Sequence, residues 1–242
     1  MKAAEKDIYY MRWNYFMAFA LMLTIGNLAC SNPPDSNSSV NKGQEEVPEK
    51  PSEFENLLEQ YESNERVIWQ KPEMIIALID DIENKTIVDL GAGSGYFAFR
   101  LVGRAGKVIA VDIDPRFVTF MDSVKYDQLT VSQLSKFETR LGTPTNPELK
   151  IAEADEVLVA NTYIYIQERV AYFSNLKKNL KPKGRVIVVD YKPGELPIGP
   201  DASIKMSAYQ VTQELEECGY EILNVDETSL QYQYIIIAQS KY

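Results

Sequence analysis

Apolar and polar positions change rhythm several times along the chain, and each change marks a segment. Residues 16–29, FMAFALMLTIGNLA, form an apolar run broken only by Thr24, Gly26 and Asn27. The run is short of the roughly 20 residues a membrane-spanning helix needs, and it has the proportions of a signal-peptide core. Arg12 precedes it and no Lys or Arg follows until Lys42, so the charge bias directs the downstream chain out of the cytoplasm. Counted from Met11 the signal is compact, and Met11 is read as the true start. Residues 31–52, SNPPDSNSSVNKGQEEVPEKPS, carry a single aliphatic residue before Val47. Such a stretch buries too little apolar surface to offset its ordering entropy, and predicts a flexible tether.

From Glu53 the periodicity becomes that of a folded domain. Phe54, Leu57, Leu58 and Tyr61 follow helical spacing, and Pro72 opens a second helix through Met74, Ile75, Leu78 and Ile79. Short apolar runs then alternate with helical segments. Strands are predicted over 86–90, 107–113, 136–141, 155–161 and 184–190, with helices near 95–104, 115–128 and 166–180. That alternation predicts an α/β fold with a buried parallel sheet. A helix near 208–218 follows, and then strands over 220–229 and 231–240. One linking residue leaves no room for a parallel crossover, so these last two strands are expected to be antiparallel. The expected organisation is a signal peptide over 1–29, a tether over 30–52 and a domain over 53–242.

Composition narrows the chemistry. The chain has no histidine, which removes every imidazole-based nucleophile, metal site and proton shuttle. Its two cysteines, Cys30 and Cys218, supply neither a four-thiolate zinc site nor a disulfide framework. The net charge of -10 argues against a phosphate-tracking surface, so no nucleic-acid partner is expected. Carboxylates, tyrosines, lysines, backbone groups or a borrowed cofactor must do the work.

The sharpest signal is Val88-Asp89-Leu90-Gly91-Ala92-Gly93-Ser94-Gly95-Tyr96, at the turn from the first strand to the next helix. Glycines at 91, 93 and 95 let the backbone approach a ligand. A dinucleotide fingerprint requires glycine where Tyr96 stands, which disfavours a nicotinamide enzyme. Asp112, ending the second strand, is placed to accept both hydroxyls of a ribose. Asp89 can hold the loop or reach an ammonium group.

With Asp112 and the terminal hairpin, this turn resembles that of class I S-adenosylmethionine-dependent methyltransferases. RVIWQKP (66–72), VIAVDIDP (108–115), Gly142-Thr143-Pro144, LKPKGR (180–185), Ile198-Gly199-Pro200 and ELEECGY (214–220) extend the likeness to small-molecule enzymes of that class. The resemblance implies a Rossmann-like, seven-stranded, mostly parallel sheet of order 3-2-1-4-5-7-6, with helices on both faces. It implies S-adenosyl-L-methionine as cofactor and a small-molecule methyl acceptor. Carried over by position, Gly91, Gly93 and Gly95 would wrap the methionine part, Asp112 the ribose and Ile113 the adenine. Thr143 or Asn146 falls near the adenine amine, and Asn161 near the methionine carboxylate or the transferring methyl. Relatives often have histidine after the tyrosine of the turn beyond the fourth strand and again near residue 203; here Ile164 and Ser203 stand there.

Without imidazole, Tyr163 and Asp190 at strand ends are the catalytic candidates, with Tyr191 beside them; packing explains tyrosines there equally well. Trp69 is either core or a wall of the cofactor pocket. Glu153, Asp155 and Glu156 read as a solvated strand entrance, and Cys218 as a small buried hydrophobe. Leu28-Ala29-Cys30-Ser31-Asn32 resembles a bacterial lipobox, with Cys30 lipidated. That resemblance implies a lipid anchor in the cell envelope, on the periplasmic side or outer membrane, or the cytoplasm if the signal is not processed. A non-catalytic cofactor- or nucleoside-binding lipoprotein is the alternative function.

Overall fold

The computed structural model describes residues 52–63 and 65–241. The signal-like run, Met11, Cys30 and the expected tether up to residue 51 lie outside the described residues. Seven strands form one sheet: β1 (Thr86–Leu90), β2 (Lys107–Asp112), β3 (Phe137–Leu141), β4 (Ala154–Ala160), β5 (Leu180–Tyr191), β6 (Tyr220–Asp226) and β7 (Gln233–Ser240). Their order is β3-β2-β1-β4-β5-β7-β6. The first five are parallel, while β7 runs antiparallel to both β5 and β6. The Rossmann-like architecture expected from the sequence is therefore the observed one.

The hairpin differs in one respect. β6 stops at Asp226, whose Oδ1 accepts the N–H groups of Thr228 at 2.8 Å and Ser229 at 2.9 Å. A side chain that captures nearby backbone donors offers a turn in place of the ladder. The two strands are thus joined by residues 227–232 and not by one residue.

Helices are α1 (Glu53–Tyr61), α2 (Arg66–Gln70), α3 (Pro72–Ile76), α4 (Ala98–Leu101), α5 (Pro115–Gln128), α6 (Val131–Leu134), α7 (Arg169–Leu176) and α8 (Ala208–Glu217). Reciprocal side-chain caps start α1 at Ser52 and Glu55, and α8 at Ser207 and Gln210. The same device, Thr130 with Gln133, starts α6, which the hydrophobic pattern does not predict. Pro115 opens α5, and Asp114 accepts the Arg116 N–H at 2.9 Å. Lys71, in the left-handed region at φ 49°, separates α2 from α3. Helices expected over 95–104 and 166–180 are shorter, with turns filling the remainder.

Alternation along the strands sends successive side chains to opposite faces. Ile87, Val108, Ala110, Leu158, Ile187, Val189 and Ile235 pack in one layer with residues of α3, α4 and α5. Val88, Ile109, Val157, Val159, Val186, Val188 and Ile236 pack in the other with α7 and α8. Burial of aliphatic side chains on both faces is the main driving force here, about 1.5–3 kcal/mol for each large one.

Candidate active site

A cavity of about 1080 Å³ opens at the carboxyl ends of the parallel strands, where the order reverses between β1 and β4. One half is made by the ends of β1, β2 and β3. Gly91 turns there at φ 75°, and a Cβ on it would lie 2.3 Å from Thr162 Oγ1, so only glycine fits. The N–H groups of Gly91 and Ala92 donate to Val111 O at 2.8 and 3.0 Å, which ties the turn to β2. Asp112 Oδ2 accepts the Gly93 N–H at 2.7 Å and Oδ1 accepts the Asp114 N–H at 2.9 Å. Burial pushes the Asp112 carboxyl upward, opposed by those backbone donors. Asp112 retains a face on the cavity, together with Ile113, Thr143, Gly91 and Gly93. Of the pair Thr143 and Asn146, only Thr143 is on the wall; Asn146 Oδ1 accepts the Glu148 N–H at 3.0 Å.

Two of the predicted residues are behind the wall. Gly95, at φ 88°, is where a Cβ would come within 2.6 Å of the Phe99 ring, so its smallness serves close packing. Asp89 is buried in β1, two residues before Gly91, with Oδ2 free of any hydrogen bond among the described residues. Burial pushes its carboxyl up to about 7, against the Ala98 N–H and the Arg66 charge.

The other half comes from the ends of β4 and β5 and from α1 and α2. Asn161, at φ 57°, follows β4 and reaches the cavity. Its Oδ1 accepts from Gln70 Nε2 at 3.2 Å and from Gln233 Nε2. Gln70 Nε2 also donates to Gln233 Oε1 at 3.2 Å, and Arg66 Nε donates to Gln70 Oε1 at 2.5 Å. Arg66 continues with Nη1 to Tyr61 O at 2.8 Å and lies 3.9 Å from the centre of the Tyr96 ring. Aromatic rings complete this half: Trp69 beside Tyr191 at 6.0 Å between centroids, Tyr165, and Tyr61 stacked on Phe117 at 5.4 Å. Trp69 is thus a cavity wall.

The expected catalytic pair is placed elsewhere. Tyr163 is fully buried in the α7–α8 layer, and its hydroxyl donates to Glu214 Oε2 at 2.8 Å beside Arg169. Asp190 is also fully buried; its Oδ1 accepts the Tyr191 N–H at 2.8 Å while Oδ2 has no partner among the described residues. Burial holds that carboxyl at about 6. The cause is parity: Asp190 shares the face of Val186 and Val188, whereas Tyr191, one residue on, points to the cavity. Glu156, expected to be solvated, is instead a buried structural ion-pair partner of Lys85 and Arg185, at 2.8 Å each. Cys218 is buried, as expected. Tyr61, Arg66, Gln70, Tyr165 and Gln233 have no separate role in the sequence reading; a polar residue among apolar neighbours, as at Gln70 and Gln233, is the signal that marks the last two.

Sheet order, glycine turn and Asp112 together define the Rossmann-like methyltransferase architecture. The chain belongs to the family described as "Methyltransferase domain", which matches residues 81–238. Its fold is similar to that of a SAM-dependent methyltransferase from Aquifex aeolicus, with a TM-score of 0.70 at 22% identity over 78% of this chain and 99% of that one. It is also similar to the [4+2]-cyclase SpnF, with a TM-score of 0.62 at 12% identity over 71% and 80% of the two chains. Among sequence relatives are phosphoethanolamine N-methyltransferase 1 of Triticum aestivum, 29% identical over 49% of this chain and 24% of that protein. Another is the tRNA U34 carboxymethyltransferase of Pectobacterium atrosepticum, 26% identical over 68% of this chain and 53% of that protein. The chain spans about half or less of the length of these relatives. The chain thus carries a methyltransferase domain, and its fold is that of a solved enzyme that depends on S-adenosylmethionine.

The residues fit that cofactor. Gly91 and Gly93 put bare backbone on the cavity wall, and each Asp112 oxygen accepts one backbone N–H and so has a lone pair left for a hydroxyl. Ile113, 59% exposed, offers an apolar face beside them.

Proposed function

We propose that this methyltransferase acts on a small-molecule acceptor. The observation that carries the reading is the single continuous cavity that joins the Gly91–Asp112 half to a half walled by Trp69, Tyr165 and Tyr191. Asp112 would hold the ribose, Gly91 and Gly93 the methionine part, Ile113 and Thr143 the adenine, and Asn161 the methionine carboxylate. When bound, S-adenosylmethionine supplies an activated methyl group and its own leaving sulfur. The chain's task is to orient the acceptor and exclude water.

The relatives that act on tRNA raise a nucleic-acid acceptor as a rival. A net charge of -10, and a cavity rim bearing Glu59 and Glu65, support the small molecule. A binder without turnover is the second reading, favoured by the lack of histidine and by Tyr163 and Asp190 being turned away from the cavity. We also propose that Cys30 carries a lipid and holds the domain in the bacterial envelope, a reading supported by the sequence before it.

Calorimetry of the full chain with S-adenosylmethionine tests the site. Micromolar binding is expected, with Asp112→Ala weakening it about tenfold or more, the scale of a lost hydrogen bond to a charged group. No binding overturns the reading. Transfer of labelled methyl to a metabolite extract then distinguishes enzyme from binder. The mass of the membrane-fraction protein reads acylation of Cys30.

A further inference from the structure

Resting on the cofactor reading above, we infer that the aromatic half of the cavity is an ammonium cage, and that the methyl acceptor is an amine. The half of the wall formed beyond β4 and β5 presents Trp69, Tyr165 and Tyr191, with Tyr61 facing them from α1. Gly199, at φ 87°, packs its backbone so close to the Tyr191 ring that a Cβ would come within 2.6 Å, which fixes that ring in place. The hydroxyls of Tyr61, Tyr165 and Tyr191 donate to no described residue; burial raises all three, and the Tyr191 hydroxyl is near enough to feel the Arg66 charge, which lowers it, and those of Tyr165 and Tyr61, which raise it. π-faces and free phenol oxygens together make a surface that attracts a cation.

The charges agree. The ionisable side chains on the wall, other than tyrosine, are Glu59, Glu65, Asp112 and Arg66. Arg66 is the sole cation among them and is already held by Gln70, Tyr61 O and the Tyr96 ring. A thiolate or carboxylate acceptor would meet no free positive group on this wall. An alcohol or phenol would need a base, and the wall has no histidine or lysine; its carboxylates are Asp112, assigned to the ribose, and the exposed Glu59 and Glu65, while burial raises the Tyr61, Tyr165 and Tyr191 hydroxyls. An amine brings its own lone pair. Its proton passes to water at the mouth; the free nitrogen then forms the N–C bond as the C–S bond breaks and leaves its electron pair on sulfur.

The cage is tested on the full chain saturated with S-adenosylhomocysteine, which occupies the cofactor half. Choline and its uncharged tert-butyl isostere are titrated in turn. Choline is expected to bind about tenfold more tightly, the scale of a desolvated cation–π contact. Tyr165, 59% exposed, tolerates replacement without loss of fold. Tyr165→Leu is expected to lower the ratio several-fold and Tyr165→Phe to keep most of it. An isostere that binds as well as choline, or a ratio insensitive to Tyr165→Leu, overturns the cage. The same ratio measured without S-adenosylhomocysteine judges the cage even if that molecule fails to bind, a failure that would count against the cofactor reading alone.

Discussion

Asp89 shows how much one buried carboxyl changes the behaviour of the chain. Unfolded, it titrates near the ordinary value of about 4, whereas folded it is held up to about 7 by desolvation. Between those values the native state keeps a proton that the unfolded chain has lost, so this group's stabilising share fades as pH rises through its folded pKa. Its neighbours Arg66 and Asp112 and the Ala98 N–H are the groups that set the balance. Asp89→Asn is expected to gain stability relative to wild type from about pH 4 to about pH 7, with a constant difference above; urea unfolding at several pH values reads it. Parallel curves would mean that the carboxyl is ionised throughout. Tyr163 carries a separate expectation. Since its hydroxyl serves Glu214, Tyr163→Phe is expected to cost about 0.5–1.5 kcal/mol of unfolding free energy and to leave methyl transfer unchanged. A rate loss without a stability loss would return Tyr163 to the catalytic machinery.

Among elements, α1 has no fully buried side chain among its described residues. Phe54 meets Phe117 at 5.1 Å and Phe120 at 6.3 Å between centroids, Tyr61 stacks on Phe117, and the Arg116 guanidinium lies 5.4 Å from the Phe54 ring centre, so ring contacts join it to α5. An element with so little buried surface opens locally at low free energy. Hydrogen exchange in 53–61 is expected to slow when S-adenosylhomocysteine binds, and Phe54→Ala to weaken binding about threefold or more, as part of a ring contact is lost. Unchanged exchange would show α1 to be a fixed wall. Elements also mark what the sequence could tell. The Gly91 turn and Asp112 were legible because spacing and local chemistry carry them, whereas the strand order followed only from the family resemblance that they support. Asp190 and Tyr191 were not distinguishable, since being at a strand end does not say which sheet face the cavity uses. The β6–β7 link was misjudged because Asp226 competes for backbone donors in a way that apolar runs do not register. Tyr61 and Tyr165 gain meaning only where distant segments meet.

At the scale of the whole molecule, charge decides what can approach. A chain of net charge -10 is expected to retain no tRNA in a gel shift at about 0.15 M salt, where phosphate contacts are already weakened. Salt-sensitive retention would favour a nucleic-acid acceptor over a metabolite. The amide chain from Arg66 through Gln70 and Gln233 to Asn161 also joins segments far apart in sequence, linking α2 to the end of β4 and to the last strand. Each carbonyl in it is taken by a donor from the Arg66 side, so the sequence of bonds has one direction. What remains at its end is the Nδ2 group of Asn161, a residue of the cavity wall, with hydrogens to give and no lone pair. The floor therefore acts as a polarity filter: an oxygen anion or carbonyl is welcomed there, and an ammonium is turned away toward the rings. With the cofactor's methionine carboxylate on that amide, an amine acceptor would be left the aromatic side of the cavity.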